Sequence, residues 1–563
     1  MKKLLVGMLL FFVAAAAPLF AAGAMKPVAF VTIQDYKALT GSVSVIAEKL
    51  GYKEMFDTMF MLFGQTEGID ETRPAGVVVL ADHAQILPFG FVPVTDFSNS
   101  TFPGSEALKE KYDSSSRTLT IGEGSGGKVL SVLPRGSYSV LVQQGKENLI
   151  PDGDPIDLLE GVRSDCMVCA KVYPTRVPQA AVETLMTPLM TQIADQPEEA
   201  ETFENQIDTI LSCLRQFESL GFALKVDAGT GDLVWLFDCN AADGSELADI
   251  FPKMKDRQTV WGDLFRPDDD VVALLGNSLS TESMVKQSRE SIKKTFGELI
   301  EKILDDEEEW SEEERQNVSE ILENIASFID KTNAMGKSDG VFSLTTDPQL
   351  IIAGTIAGGD DLTKAIGLLG KELAAEQGDD DSILKQLKLN AKSYKGYTIS
   401  TFVLKSGECE GLTELNPDLA GTSPSILLAV KDDTLVLVAG LDQKNVGAKF
   451  KAIIERESTP STVPPMNFRF SMKNLGVCAA GLLPEDQDNA SEDQDPISKV
   501  VAMASQADPN AAIYETVTYD GSTGCQGEFV ITGSFIAEVG KILQSFKTTD
   551  DDDDDWDLNE EEE

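Results

Sequence analysis

Two hydrophobic periods alternate along this chain. Runs with a period near 2 come in pairs joined by Gly- or Asp-rich turns, and runs with a period near 3.6 follow them. The clearest case is Phe222–Met254, FALKVDAGTGDLVWLFDCNAADGSELADIFPKM. Its spacing predicts a strand, a turn at Asp227–Gly231, a second strand and a short helix. Ser245 would cap that helix, and Leu247, Ile250 and Phe251 would line it. Related strand–strand–helix stretches occur at Val341–Leu373 and Ile513–Leu543. In the first two, Gly244-Ser245-Glu246-Leu247 matches Gly359-Asp360-Asp361-Leu362, and Gly221 matches Gly340 as the stop of a preceding helix.

The same reading extends over the chain. Strands are predicted at Val28–Ile33, Gly76–Leu80, Ile86–Val94, Cys166–Tyr173 and Val271–Leu275, with three more inside Arg117–Gln143. Further strands fall at Tyr397–Leu404, Ile426–Val430, Thr434–Ala439, Phe468–Met472 and Gly476–Leu482. Helices are predicted around Val43–Leu50, Met55–Phe63, Ser105–Tyr112, Val446–Ile454, Ile497–Ser505 and Phe535–Phe546. Apolar stripes mark two helical hairpins. One lies near 179–220 (Val182, Leu185, Leu189, Ile193; then Phe203, Ile207, Ile210, Leu214), with Pro188 as a kink. The other lies near 281–333 (Ile292, Phe296, Ile300, Ile303; then Val318, Ile321, Ile325, Ile329), with Ser311 and Glu314 spaced as a capping box. The expected class is α+β: antiparallel sheets covered by helices, two helical hairpins, and pseudo-repeated ββα units.

The N-terminus changes the picture. Lys2 and Lys3 precede an apolar run, Leu4–Ala17, and Ala22-Gly23-Ala24 supplies small residues at a cleavage site. The run is shorter than the roughly 20 apolar residues a bilayer span needs. We therefore expect a signal peptide at 1–24, an N-terminal half at 25–335, a C-terminal half at 336–547 and a disordered acidic tail at 548–563. The formal net charge is −46, from 93 acidic against 47 basic residues. Such a surface repels phosphate backbones and anionic headgroups, so nucleic acid is not an expected partner, nor is stable membrane insertion after signal removal. Basic proteins or divalent cations are the partners that the charge admits.

Candidate chemistry is sparse. Gly122–Lys128 meets the GxxxxGK part of a phosphate loop, but Val129 stands where Ser or Thr is needed and a strand follows, so a Gly-rich hairpin turn is the better reading. His83 is the only histidine, which excludes multi-histidine metal centres. Gly336-Lys337-Ser338-Asp339-Gly340 fits G-x-S-x-G, but a helix precedes it and a strand follows, the reverse of a nucleophile elbow. The Ser-x-x-Lys triplets at Ser283–Lys286, Ser291–Lys294 and Ser382–Lys385 lack companion motifs. Asp152-Gly153-Asp154 and Asp486-Gln487-Asp488 begin like calcium loops, but Ile156 and Ala490 occupy the third ligand position. The run Asp550, Asp551, Asp552, Asp553, Asp554, Asp555 is a weak, nonspecific cation candidate. Of seven Cys, Cys166 and Cys169 form CMVC in a predicted strand, where positions three apart lie about 10 Å apart on opposite faces. They read as buried thiols, and a bridge elsewhere stays open. No catalytic residues, cofactor or metal site are indicated.

The leader, the opening VAFVTIQDYKAL, the stretch Phe91–Asp96 (FVPVTD) and the alternation of strand pairs with helices resemble a loose group of large exported bacterial proteins of strand-pair and helix layout. The resemblance implies export and brings no catalytic residues. The expected function is an exported envelope or extracellular binding or scaffold protein, periplasmic or outside the cell. A secreted carboxylate-dependent hydrolase and a carrier of an apolar ligand are the alternatives.

Overall fold

The computed structural model describes residues 25–33, 36–63, 68–82, 85–99, 111–121, 128–161, 163, 166–180, 209–306, 311–375, 387–404, 422–483 and 496–550. The fold is mixed α+β, and the named strands pair antiparallel throughout. Two compact units divide the chain. The first runs to Phe251 and resumes at Ser522; the second, Pro252–Gly521, is inserted between those two pieces. The boundary expected at 335/336 falls inside the second unit.

The first unit holds β1 (Lys26–Ile33), β2 (Ala75–Ala81), β3 (Ile86–Val92), β4 (Tyr112–Asp113), β5 (Thr118–Ile121), β6 (Lys128–Arg135), β7 (Tyr138–Gln143), β8 (Val168–Val172), β9 (Phe217–Val226) and β10 (Leu233–Ala241). The chain's last strand, β22 (Gly524–Ile531), joins them. The strand order is β4-β5-β6-β7-β3-β2-β1-β8-β9-β10-β22. A core of Phe30, Val78, Leu80, Phe89, Phe91, Tyr138, Val140 and Val142 forms where β1, β2, β3 and β7 place alternate residues on one side. Helices α1 (Tyr36–Lys49) and α2 (Lys53–Phe63) follow β1. The last helix, α10 (Gly533–Asp550), lies on the end of α1: a Cβ at Gly540 would sit 2.8 Å from the Leu50 Cα, and Gln544 Nε2 donates to the Leu50 carbonyl at 3.2 Å.

In the same unit, Cys239 on β10 stands directly opposite Cys525 on β22, and the two are bridged across a Cα–Cα distance of 5.3 Å. Cys166 and Cys169 are both buried. The turn that opens the Phe222–Met254 stretch also has a tertiary task. Asp227 Oδ1 accepts from Gly229 and Thr230, Gly231 takes φ +79°, and Asp232 Oδ1 accepts from the Gly533 amide at the start of α10. A Cβ at Gly533 would lie 2.1 Å from the Thr230 carbonyl, so only glycine lets the turn reach the helix.

Short helix α3 (Glu246–Met254) ends the first piece and opens the second. The second unit contains β11 (Gln258–Thr259), β12 (Asp270–Leu279), β13 (Lys337–Thr345), β14 (Gln349–Thr355), β15 (Leu387–Tyr394), β16 (Tyr397–Val403), β17 (Ser425–Lys431), β18 (Thr434–Gly440), β19 (Ser461–Thr462), β20 (Met466–Ser471) and β21 (Ala512–Tyr519). Its main sheet runs β15-β16-β17-β18-β14-β13-β12-β20-β21, and β11 pairs with β19 apart from it. The helices are α4 (Glu282–Asp306), α5 (Glu312–Ala334), α6 (Gly359–Ala375), α7 (Gln443–Glu455), α8 (Met472–Ala480) and α9 (Pro496–Ser505). Val341, Ile351, Ala353, Val436 and Val438 form the core with Val446, Phe450 and Ile453 of α7. Ser311 caps α5 in a reciprocal capping box with Glu314, as the spacing predicts.

Three readings need correction. Gly476–Leu482 is not a strand: Gly476–Ala480 belongs to α8 and Gly481 caps its end, while Ser471 caps its first turn by accepting from the Asn474 amide. Gly221 and Gly340 do not stop helices; each sits inside a strand, Gly221 opposite Asp238 and Gly340 between Gly276 and Gly354. Strand β15 has no counterpart in the sequence reading. The three stretches have the expected order of strand, strand and helix, but β21 of the third falls in the second unit and β22 in the first, and the fold does not establish the three as repeats of one unit. Of the hairpin near 179–220, residues 181–208 lie outside the described residues, as do 100–110 of the Ser105–Tyr112 helix and the turn 122–127. Among the described residues, no helix is long and apolar enough to cross a membrane.

Candidate functional site

Register builds a cleft on the second unit. Leu344 pairs with Leu350, Leu350 with Ala439, Ala439 with Ile426, and Ile426 with Phe402. Directly paired residues share a face, so one row of side chains runs across β13, β14, β18, β17 and β16. Four strand spacings make the row about 19 Å long. The neighbouring positions Ile351, Val438 and Leu427 point the other way, toward Val446 and Phe450 of α7. The row is therefore on the face that α7 does not cover. Its central member is the smallest, and flanking Leu350 and Ile426 stand taller than the methyl of Ala439. The result is a cleft of about 290 Å³. Leu404, Leu441, Pro348 and Pro424, each just beyond the end of a strand, also line it.

The lining is apolar but for Ser425, and Ser425 pairs with Gly440 in the row that faces α7. Its hydroxyl is buried without a partner there. Among the described residues, no charged side chain lines the cleft. Ile426 is 40% exposed, while Leu344, Leu350, Phe402 and Ala439 are half-buried, so the walls are accessible apolar surface rather than closed core. Pro348 and Pro424, which lack an amide donor and hold φ near −65°, stiffen the strand ends beside it. Asp347 adjoins Pro348 and Asp442 adjoins Leu441. Asp442 caps α7, with Oδ1 accepting from Lys444 at 2.7 Å and Asn445 at 3.4 Å. Asp347 also adds to the burial that pushes the Cys478 thiol up.

Polar clusters elsewhere hold elements together. In the first unit, Arg73 bridges Asp70 (3.1 Å) and Asp154 (3.2 Å), and Asp154 also caps the turn at Pro155–Leu158. Burial, then the charge of Asp154, pushes the Tyr138 hydroxyl up to about 12. In the second unit, Asp339 accepts from Thr259 and Thr355, and Trp261 Nε1 donates to Thr355, which ties β11 to β13 and β14. Arg456 stacks on Trp261 at 4.5 Å and pairs with Asp263 at 3.4 Å. Asp270 is a carboxyl pushed above its ordinary range, by burial, with the hydroxyl of Ser343 donating to it at 2.7 Å. It lies within the sheet on β12 and is not among the residues that line the cleft over Ala439.

The sequence candidates fall as follows. Ser338 lies in β13 opposite Ser278, just after the turn at Gly336 (φ +60°), so the G-x-S-x-G stretch is a helix-to-strand turn. Ser283, Lys286, Ser291 and Lys294 are on α4. Asp152 pairs with Arg135 at 3.5 Å. His83, Asp486, Asp488, Ser382 and Lys385 lie outside the described residues. Asp550 ends α10, and Asp551, Asp552, Asp553, Asp554 and Asp555 lie outside the described residues. Among the described residues, no three His, Cys, Asp or Glu converge in a way that could hold a metal ion. No family model, curated protein or solved structure matches the chain.

Proposed function

We propose that this is an exported binding protein that takes an apolar ligand into the cleft over Ala439. The observation that carries the reading is the in-register row Leu344–Leu350–Ala439–Ile426–Phe402, with a small residue between large ones. A volume near 290 Å³ is at the lower end of ligand pockets. That size admits a small apolar group or part of an alkyl chain. The leader-like N-terminus supports export, and so does the Cys239–Cys525 bridge, because such bonds persist in oxidising compartments. Binding would draw on apolar burial alone, about 0.8 kcal/mol for each methylene.

The test is occupancy of the cleft. Decyl-chain probes below their micelle concentrations should bind the full-length protein in titration calorimetry, with a negative heat-capacity change. Ala439→Phe fills the dip with a strand-favouring side chain on a half-exposed position, so we expect binding to fall at least tenfold with an unchanged melting temperature. A wild-type protein that ignores every decyl probe, or an Ala439→Phe protein that binds as well as wild type, overturns the proposal.

A further inference from the structure

We infer that the cleft selects a single unbranched alkyl chain, lying in single file over Ala439, and rejects branched or caged apolar groups of similar hydrophobicity. The inference rests on the cleft reading above and adds the shape of the ligand. Ala439 of β18 is the floor, and its two paired neighbours, Leu350 of β14 and Ile426 of β17, are the walls. Strand side chains stand roughly perpendicular to the sheet, so each wall rises over its own Cα. Those two Cα atoms are two strand spacings apart, about 9.6 Å. A file of carbons midway between them runs about 4.8 Å from each wall line, against about 3.5 to 4.0 Å for carbon–carbon contact. The slack is therefore only about 1 Å on each side. A branch carbon stands about 1.5 Å off the file, so a branch toward either wall comes to about 3.3 Å and must displace it.

The walls continue toward one end of the sheet. Pro348 comes two residues before Leu350, Pro424 two residues before Ile426, and Leu441 two residues after Ala439. Because the pairing is antiparallel, continuing the register sets both prolines opposite Leu441, and all three line the cleft. The slot thus runs parallel to β18 for about 6.8 Å from Ala439 to Leu441. In the other direction Leu437 pairs with Ile352 and Leu428, and none of these three is in the lining, so the slot does not extend to that row. The proline rings fix the backbone at one position in each wall, which hinders the walls from spreading around a wider group.

Two neutral alcohols of similar hydrophobicity test the shape: 1-octanol and 2-(1-adamantyl)ethanol, each titrated calorimetrically into the full-length protein. We expect octanol to bind about tenfold more tightly or better, the scale on which an apolar pocket discriminates. Ile426→Ala removes one wall at a position already 40% exposed, and Leu350→Ala removes the other. Either variant, with its fold checked by thermal melting, should bind the adamantyl alcohol several-fold more tightly than the wild type does and so narrow the preference. A preference that came from partitioning alone would not respond to the walls. Dioctanoylphosphatidylcholine below its micelle concentration separates a single chain from a two-chain lipid: we expect it to bind no more tightly than octanol, and clearly tighter binding means that two chains are held and overturns the inference. Equal or tighter binding of the adamantyl alcohol to the wild-type protein, still lost in Ala439→Phe, also overturns it and leaves the cleft reading standing. So does a preference for octanol that both wall variants leave unchanged. Binding of neither alcohol overturns the cleft reading and the inference together.

Discussion

Asp270 shows what a single residue can reveal and conceal. Its type says carboxylate; its position in VVALL's strand says core edge, and only the fold puts it at 4% exposure with Ser343 as a donor. Burial raises its folded pKa above the unfolded value, so the folded state holds the proton more tightly. The stability it contributes is therefore full below the ordinary carboxylate range and is lost as pH rises through the raised folded value. Asp270→Asn keeps an oxygen for the Ser343 hydroxyl and removes the charge. We expect it to raise the melting temperature at pH 7 by about 2 °C, on the order of 1 kcal/mol, with the gain gone near pH 4. A gain that persists at pH 4, or a loss at pH 7, would rule out desolvation of the carboxylate as the cause. Gly221 teaches a related lesson. A glycine after a predicted helix reads as a stop, yet here it is mid-strand, where a Cβ would meet the Asp238 carboxylate at 2.4 Å. Glycine marks a close approach in both cases, and sequence does not say to what.

At the scale of elements, most strands and helices were legible because their periodicity is strong. The exceptions have physical causes. Residues Gly476–Leu482 are a near-continuous apolar run, which cannot separate a buried strand from a buried helix. The helix wins because Ser471 caps it and because Gly476 meets α9 directly: a Cβ there would lie 2.1 Å from the Ser505 amide nitrogen. Gly476→Ala must push α8 and α9 apart, and we expect a cost of at least about 2 kcal/mol. Urea unfolding monitored by circular dichroism measures it; a cost under about 0.5 kcal/mol would show that the two helices are free to separate. Strand β15 (LKLNAKSY) escaped notice for the opposite reason. It pairs with β16 alone, carries Lys388 and Lys392, and bulges at Asn390 (φ +49°), so it lacks the alternation of a half-buried strand. Lysines and a bulge on an edge also hinder pairing with another chain.

On the scale of the whole molecule, the chief fact is that a 270-residue unit, Pro252–Gly521, interrupts another. The Cys239–Cys525 bridge spans 286 residues and ties β10 to β22, the strands on either side of that insertion, within the first unit. In the chain-entropy account a bridge over so long a loop is worth a few kcal/mol, mostly by restricting the unfolded chain. We expect the double variant Cys239→Ser/Cys525→Ser to lose about 3 kcal/mol of stability in the first unit, and a non-reducing peptide map of the wild-type protein to contain the Cys239–Cys525 pair. Free thiols at both positions in the mapped protein would remove the bridge from the account. A boundary at 335/336 was the natural reading of a chain taken in order, because composition does not record that residues after 521 return to a sheet begun before 252.

The amino-acid sequence by itself determined the α+β class, the order of most strands and helices, and the α4–α5 hairpin with its capping box. These depend on residues near one another in the chain, where period, caps and turns act. Tertiary structure alone decided the strand order, the interruption of one unit by the other, the partner of Cys239, and the cleft. Leu344, Leu350, Phe402, Ile426 and Ala439 are ordinary strand residues spread over 96 positions, and each reads as core. Only the antiparallel register sets the small residue between the large ones, and only the placement of α7 on the opposite face leaves that row open. A slip of one residue in either pairing would turn the row inward and erase the site.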